Sequence, residues 1–184
     1  MSEQPMLAAI LAPKDLPVDP ILEDMALRAK QASLKVAGFL QRRDCAAPGC
    51  DGQLQIERIG TGDRQRILQP LGSGAGGGCR LNPAAIADVS GSLLAEIEAA
   101  TGTRADLLIL NRFGRSESEG RGFRTAIEAA YARGIPVLTA VRETYAEAWR
   151  DFAGDFGVLL PPDAANVAAW LENVIAFPPV RRAV

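Results

Sequence analysis

Two buried strands separated by a helix, between Ala105 and Glu143, restrict the fold of this chain more than any other feature. The first strand, Leu107–Leu110, is a continuous apolar run, as expected where both faces of a strand are covered. A helical pattern follows as far as Gly134, and Ile135–Val141 is a second apolar run. Strand, helix and strand within about 35 residues predict a right-handed parallel crossover. The sequence therefore predicts an α/β fold with a mostly parallel sheet.

The same patterns continue on both sides of this unit. They predict further strands at Met6–Ala12, Val36–Leu40 and Val158–Leu160, and further helices at about Asp19–Ser33, Asn82–Ala100, Thr144–Phe152 and Ala164–Ala176. Candidate helix caps are Asp19, Asn82 and the capping-box pairs Ser116 with Glu119 and Thr144 with Glu147. We expect helices on both faces of the sheet, which gives a three-layer α/β domain.

A different pattern occupies the middle of the chain. Residues 53–59 and 64–68 alternate polar and apolar side chains across a glycine-containing turn, which predicts an antiparallel β-hairpin at about 53–69. This hairpin would be either an insertion on the α/β core or an antiparallel edge of the sheet. A glycine-rich loop, residues 72–78, follows it. We expect residues 1–177 to form one domain and residues 178–184 to form a loose tail.

The composition excludes several classes of function. The chain contains no histidine, which rules out Ser–His and Cys–His nucleophiles and imidazole ligands to a metal. A net charge of −2 does not indicate a nucleic-acid partner. The sequence contains no run of 18 apolar residues, so membrane insertion is not expected. The N-terminus lacks the cationic region of a signal peptide, so we expect a cytoplasmic protein. Cys45 and Cys50 are either incidental thiols or a metal or redox pair.

Arginines follow several of the predicted strands. Arg42 ends the second strand, Asn111, Arg112 and Arg115 follow the third, and Arg142 ends the fourth. In open parallel sheets, ligands bind beyond the carboxyl ends of the strands, and the guanidinium group suits oxyanions such as phosphate, molybdate or carboxylate. The set predicts an anion site. The alternative is that the arginines are solvated loop charges paired with Asp15, Glu117 and Glu143.

The glycine-rich loop is the second candidate binding element. Gly76, Gly77 and Gly78 lead into Cys79 and Arg80, immediately before a predicted helix. Consecutive glycines let backbone N–H groups converge on an anion, but the loop lacks the Lys-Ser/Thr pair of a phosphate-binding P-loop. It would be either an anion-binding lid or a flexible lid or linker. Cys79 would be either a reactive thiol or a small residue packed beneath the loop.

Three segments resemble a bacterial family that contains a domain of unknown function and is often encoded near molybdate-transport genes. They are ADLLILNRFGRSESEGRGFRTAIEAAYARGIPVLTAV, GCRLNP and YAEAWRDFAG, and the resemblance extends from about Leu7 to Leu171. That family is similar in turn to the THEP-type nucleoside triphosphatases. The resemblance implies the topology of a P-loop NTPase, with the second strand and a hairpin preceding the Walker B strand.

The departures from that pattern bear on activity. Residues 13–17 (PKDLP) stand where the Walker A loop would follow the first strand, without its glycines or its Lys-Ser/Thr pair. Asn111 and Arg112 stand where the Walker B strand would end in acidic residues. A magnesium ion would lose its carboxylate and the phosphates would lose their cradle, so phosphoryl transfer by the usual route is not expected.

These observations lead to one main hypothesis. The chain would be a non-catalytic binding protein for a small anionic ligand, such as molybdate or a molybdenum cofactor, in molybdenum metabolism. Arg112, Arg80 and Asn111 would hold the anion with help from Lys14 and Arg142. The glycine loop would close over it, with Cys79 as a soft contact. Its partners would be molybdenum enzymes or transport components.

Two alternatives remain open. One is a nucleotide hydrolase or transferase that binds Mg-nucleotide in an altered site, for which Asp15, Glu117 and Glu119 are the candidate carboxylates. The other is a protein–protein adaptor that uses its hairpin and sheet edge, which a large exposed apolar patch on the hairpin would favour.

Overall fold

The computed structural model describes residues 5–43, 54–70, 79–99 and 104–176. The strands in chain order are β1 (Leu7–Ala12), β2 (Val36–Arg43), β3 (Leu54–Arg58), β4 (Arg64–Arg66), β5 (Leu68–Pro70), β6 (Cys79–Leu81), β7 (Leu107–Leu110), β8 (Val137–Arg142) and β9 (Gly157–Leu160). The helices are α1 (Asp19–Gln31), α2 (Pro83–Glu98), α3 (Arg115–Ser118), α4 (Arg124–Ala132), α5 (Ala146–Ala153) and α6 (Ala164–Ala176). None of the helices in these four ranges is long and apolar enough to cross a membrane.

Seven strands form one mixed sheet in the order β4-β3-β2-β7-β8-β1-β9. The pairs β2–β7, β7–β8, β8–β1 and β1–β9 are parallel, so the predicted mostly parallel sheet is confirmed. From β1 the chain crosses to β2, toward the β4 edge of the sheet, and from β8 it crosses to β9, at the opposite edge. β1 therefore lies at a point where the direction of winding changes, and such points are where open α/β sheets bind ligands.

Helices cover both faces of this sheet. Leu108 and Ile109 are neighbours in β7, and because side chains alternate along a strand they belong to different hydrophobic clusters. Helices α1 and α6 cover the face of Ile109, while α2, α4 and α5 cover the face of Leu108. All four residues of β7 are buried, as its uninterrupted apolar run predicts. Trp149 and Trp170, on α5 and α6, are both core residues.

The predicted hairpin forms an antiparallel edge of the main sheet. Strand β3 pairs with β2 and with β4, and β4 is the edge strand. Leu68 leaves the hairpin and pairs instead with Leu81, in a second sheet that contains only β5 and β6. This short pairing was not predicted, because β6 has three residues and lies beyond the glycine-rich loop. Residues 72–78 lie outside the described residues.

One glycine lets β2 approach its neighbour closely. Gly38 has φ +117° and is paired with Ile109 of β7. A Cβ atom at Gly38 would lie less than 3.0 Å from the carbonyl oxygen of Ile109. Only glycine combines that backbone conformation with the absence of a side chain, so this position accepts no other residue without displacement of a strand.

The helix predicted from Ser116 to Arg133 is in fact two helices, α3 and α4. Gly120 and Gly122 lie between them with φ +81° and +63°, values that an α-helix does not contain. The helical pattern on either side hid this break, since isolated glycines are tolerated in helices at a modest cost.

A buried carboxylate organises the break between α3 and α4. Glu117 is 6% exposed, and its two carboxylate oxygens accept hydrogen bonds from the backbone amides of Gly114, at 2.9 Å, and Phe123, at 3.1 Å. The capping box predicted for Ser116 and Glu119 is therefore wrong. Glu117 performs that function because its side chain reaches back to the amide that precedes α3.

The other predicted caps had mixed outcomes. Asn82 caps α2 as predicted, since its Oδ1 accepts hydrogen bonds from Ala84 N and Ala85 N. Thr144 lies within a 3₁₀ turn before α5 and does not cap that helix. Asp19 is the first residue of α1 rather than its cap, which is Val18.

Candidate functional site

The candidate site lies at the carboxyl ends of three adjacent strands. β8 lies between β1 and β7, so the segments that leave these strands meet at one edge of the sheet. Lys14 follows β1, Asn111 and Arg112 follow β7, and Arg142 is the last residue of β8. The structure thus brings together the four predicted site residues that follow parallel strands, because parallel strands all end at the same edge.

A bulge positions the residues that follow β7. Ile109 is paired with Leu138, and the next pair that joins these strands is Phe113 with Val141. Four residues along one chain therefore correspond to three along the other, and the extra residue lies in the segment that contains Asn111–Arg112. Bulges redirect side chains at sheet ends and are frequent beside functional sites. Because of the bulge, the side chains of Asn111 and Arg112 do not follow the regular alternation between the two faces of the sheet.

Both of these side chains are directed at one carboxylate. Asn111 Nδ2 donates a hydrogen bond to Asp19 Oδ1 at 2.5 Å. Arg112 Nη2 lies 4.0 Å from Asp19 Oδ2, and the two side chains are each about one-third exposed, at 35% and 36%. Asp19 is the first residue of α1, where the backbone N–H groups also favour negative charge. The edge of the sheet therefore contains a small site that stabilises an anion, and the carboxylate of Asp19 is in it.

Asp19 is the member of the candidate site that sequence reasoning missed. The sequence identified it only as a helix cap, although an acidic residue just after the first strand is also a candidate for the site at the strand ends. Its partner Asn111 lies 92 residues further along the chain, and no local pattern reports such a contact.

The other two strand-end cations are exposed. Lys14 lies in the turn after β1, in which Leu16 N donates to Pro13 O, and Arg142 is exposed at the end of β8. Arg142 is paired with Ala12 in the sheet, whereas Lys14 lies outside the strands. Both residues thus lie at the edge of the sheet that contains Asp19, Asn111 and Arg112.

The glycine loop and its neighbours are only partly described. Gly76, Gly77 and Gly78 lie outside the described residues, as do Cys45 and Cys50. Cys79 and Arg80 form the start of β6, where they pair with residues of β5. The described part is their backbone, and the side chains of both residues lie outside it.

Two further arginines of the predicted set are paired with carboxylates elsewhere. Arg42 contacts Glu57, with Nε–Oε2 and Nη2–Oε1 distances of 3.2 and 3.1 Å, and Glu23 at 2.8 Å. The hydrogen bonds from Arg42 hold the pKa of Glu57 below its usual value. Arg115 pairs with Glu119 at 2.8 Å on the surface. Arg42 and Arg115 are thus paired with carboxylates, as the alternative interpretation expected, but their partners are Glu57, Glu23 and Glu119 and not Asp15, Glu117 or Glu143.

The carboxylates proposed for the enzyme alternative are arranged differently from Asp19. Glu117 is buried against backbone amides, Glu119 pairs with Arg115 and Arg121, and Asp15 is exposed. Within the four described ranges, no group of three or more acidic or cysteine side chains lies close enough to hold a metal ion. Large exposed hydrophobic side chains in this part of the chain are Leu16, Leu27 and Phe156, none of which belongs to the hairpin.

Comparisons with known proteins agree with this architecture. The chain resembles a solution structure of a human cancer-related nucleoside triphosphatase with a TM-score of 0.64. The match covers 95% of this chain and 96% of that one at 12% sequence identity, so the likeness is one of fold. The predicted topology of a P-loop NTPase is therefore confirmed, whereas the Walker A signature is absent from the sequence.

A curated relative is much longer than this chain. The sequence is 37% identical over 167 residues to the Molybdenum import ATP-binding protein ModC 2 of Bradyrhizobium diazoefficiens. This match covers 91% of the chain but only 18% of the relative. Residues 7–170 also match a family model described as protein of unknown function, DUF2478. Since that match spans nearly the whole chain and confirms the resemblance drawn from its motifs, the chain belongs to the DUF2478 family.

Proposed function

We propose that this chain is a non-catalytic binding protein for an oxyanion or anionic cofactor, and that it works in molybdenum metabolism. The observation that carries the proposal is the convergence of Asn111 and Arg112 on one carboxylate at the start of α1. A site that already neutralises a carboxylate offers the donors that an external oxyanion needs. An amide, a guanidinium and the first N–H groups of a helix all favour negative charge.

The position of these donors also supports the proposal. Leu110 and Phe113 flank Asn111 and Arg112, and each is only 1% exposed. The backbone of the site is therefore fixed before any ligand arrives, and less conformational entropy is lost on binding. Lys14 and Arg142 would add charge from the loop side, and Gly76, Gly77 and Gly78 would close over the ligand with Cys79 and Arg80.

The molybdenum part of the proposal is based on the curated relative. That relative is a molybdenum import ATP-binding protein, and a segment of it is 37% identical to this chain. Molybdate or a molybdenum cofactor is therefore the ligand we propose, with molybdate-transport components or molybdenum enzymes as partners. Because the chain spans 18% of the relative, import activity is not transferred with the resemblance.

A thermal-shift screen tests this proposal directly. Ligands that bind only the folded state raise its melting temperature according to their affinity and excess. The screen would contain molybdate, tungstate, sulfate and phosphate, a molybdopterin-type cofactor, and ATP or GTP with and without Mg²⁺. We expect a shift with molybdate or the cofactor and none with Mg-nucleotide. No shift with any anion would contradict the proposal.

The variant Arg112→Ala is the matched test of the site. It should abolish the ligand-induced shift and change the melting temperature of the ligand-free protein by less than about 3 °C, since a partly exposed ion pair contributes little to stability. Arg115→Ala is the control, because Arg115 is 79% exposed and pairs with Glu119. Equal loss of the shift in both variants would show that general positive charge, rather than this site, attracts the anion.

A nucleotide hydrolase or transferase is the second candidate. Two observations favour it, namely the nucleoside triphosphatase fold and the carboxylate of Asp19 at the strand ends. A partly exposed carboxylate there could contact a magnesium ion. A nucleotide shift that requires Mg²⁺, together with phosphate release that Asp19→Asn abolishes, would support this candidate over the binding protein.

A further inference from the structure

Asp19 has a contact that a simple anion-binding site would not need. Its carboxylate carries the charge and the paired oxygens of an anionic ligand. It accepts a hydrogen bond from Asn111 and lies 4.0 Å from Arg112 Nη2. We propose that Asp19 is an internal competitor, which occupies the anion site and turns away when an external anion binds. This inference rests on the proposed function and specifies how the same site is regulated.

The first argument is what the Asp19 side chain does not do. Asp19 does not cap its own helix, and the cap residue Val18 makes no side-chain cap hydrogen bond. The carboxylate instead contacts the two residues that follow β7. The carboxylate is therefore oriented by the site and not by the helix to which it belongs.

The second argument is that the side chain can leave without disturbing the fold. Val18 is 1% exposed, and its carbonyl oxygen accepts hydrogen bonds from Ile21 N and Leu22 N, which fixes the first turn of α1. The side chain of Asp19 is 36% exposed, so rotation about its χ1 carries the carboxylate into water. Exchange of the internal for an external anion then requires a rotamer change only.

The third argument concerns charge. An external anion that binds while Asp19 remains in place would meet a like charge a few ångströms away, which disfavours binding. An anion that displaces Asp19 must compete with a carboxylate that is tethered beside the site and so has a high effective concentration. In both cases the negative charge of Asp19 weakens the affinity for an external oxyanion, and doubly charged oxyanions should compete better than singly charged ones.

Isothermal titration calorimetry with sodium molybdate and sodium sulfate on Asp19→Asn tests the competitor. The asparagine keeps the shape and can still accept the hydrogen bond from Asn111, but it carries no charge. We expect the variant to bind the oxyanion at least about tenfold more tightly than the wild-type protein. Asp24→Asn is the control, since Asp24 is also on α1 and pairs with Arg28 in an exposed i,i+4 ion pair. It removes the same charge and should leave the affinity unchanged.

The possible results separate this inference from the proposed function. If the wild-type protein binds molybdate or sulfate and Asp19→Asn binds it equally or more weakly, the inference that Asp19 competes for the site is wrong, whereas the proposed anion site is retained. If neither protein binds any oxyanion, both fail. Tighter binding by both Asp19→Asn and Asp24→Asn would mean that net charge alone explains the gain and would overturn the competitor. Thermal melts of each variant without ligand show whether it folds.

Discussion

Oε1 of Glu117 accepts a hydrogen bond from the backbone amide of Phe123 at 3.1 Å, across the glycine-containing break between α3 and α4. A Cβ atom added at Gly122 would lie less than 3.0 Å from the same oxygen. Gly122 therefore allows the carboxylate to enter, and the carboxylate in turn fixes the segment that leads away from the candidate site.

Gly122→Ala should lower the free energy of unfolding by about 3 kcal/mol. The alanine would adopt an unfavourable positive φ and would displace the buried carboxylate of Glu117 from the two amides. Gly120→Ala is the control, because Gly120 has φ +81° but nothing within 4 Å of its Cβ position. It should lose only the conformational part, about 1 kcal/mol. If urea denaturation gave equal losses of unfolding free energy for the two variants, the displacement of Glu117 would not contribute to the effect of Gly122→Ala.

Gly38→Ala should prevent folding or destabilise the protein by more than about 4 kcal/mol. The new Cβ would overlap the carbonyl oxygen of Ile109 in the central strand β7, and a strand cannot yield as a flexible side chain can.

Gly91→Ala should instead raise the free energy of unfolding. Gly91 is exposed in α2 with open space at its Cβ position, and alanine there should stabilise by about 0.5–1 kcal/mol. Soluble yield and urea midpoints measure both effects.

Glu57→Gln should destabilise the protein at neutral pH by about 1 kcal/mol, because Arg42 and Arg64 hold the ionised carboxylate at a position only 17% exposed. The pKa of Glu57 is lowered by folding, chiefly by the hydrogen bond from Arg42. A lowered pKa means that the stabilisation is present above the unfolded-state value of 4.5 and is lost as the pH falls through the folded-state value.

Urea denaturation at pH 7 and pH 3 checks this dependence on Glu57. The difference between wild type and Glu57→Gln should shrink at the lower pH. Glu119→Gln is the control, because hydrogen bonding from Arg115 also lowers the pKa of Glu119 but solvent screens that exposed pair. Its effect should be smaller than that of Glu57→Gln, and a larger one would contradict this assignment.

Asn111→Asp should destabilise the protein by about 2 kcal/mol at pH 7, since it would place a second carboxylate in hydrogen-bond range of Asp19. Two carboxylates so close repel each other, and the hydrogen bond that the amide of Asn111 donates is lost. Asn82→Asp is the control, because the start of α2 favours a negative charge. Urea melts at pH 7 measure the difference, and an unchanged stability of Asn111→Asp would indicate that Asp19 already faces solvent.

Local signals in the sequence were sufficient for much of the fold. The apolar run of β7 and the cap of α2 at Asn82 depend on neighbouring residues only, and both were predicted correctly. The break between α3 and α4 was not predicted. It depends on Glu117, whose burial follows from tertiary packing, and the local spacing of Ser116 and Glu119 was an equally good cap by pattern.

The candidate site was predictable only in part, for the same reason. Topology alone placed Asn111, Arg112, Arg142 and Lys14 at one edge of the sheet. The contact of Asp19 with Asn111 spans 92 residues and depends on where α1 begins in space. Arg42 was expected in the anion site, but β3 brings Glu57 against it, and that pairing is a long-range property of the sheet.

The segment that forms the bulge after β7 and the turn that follows β1 should differ in mobility. Phe113 N donates to Ala140 O inside the core, so its amide should exchange with deuterium only when the sheet opens. Leu16 N donates to Pro13 O in an exposed turn, and it should exchange through frequent local opening. On ligand binding, the turn that carries Lys14 should therefore move more readily than the segment that carries Arg112.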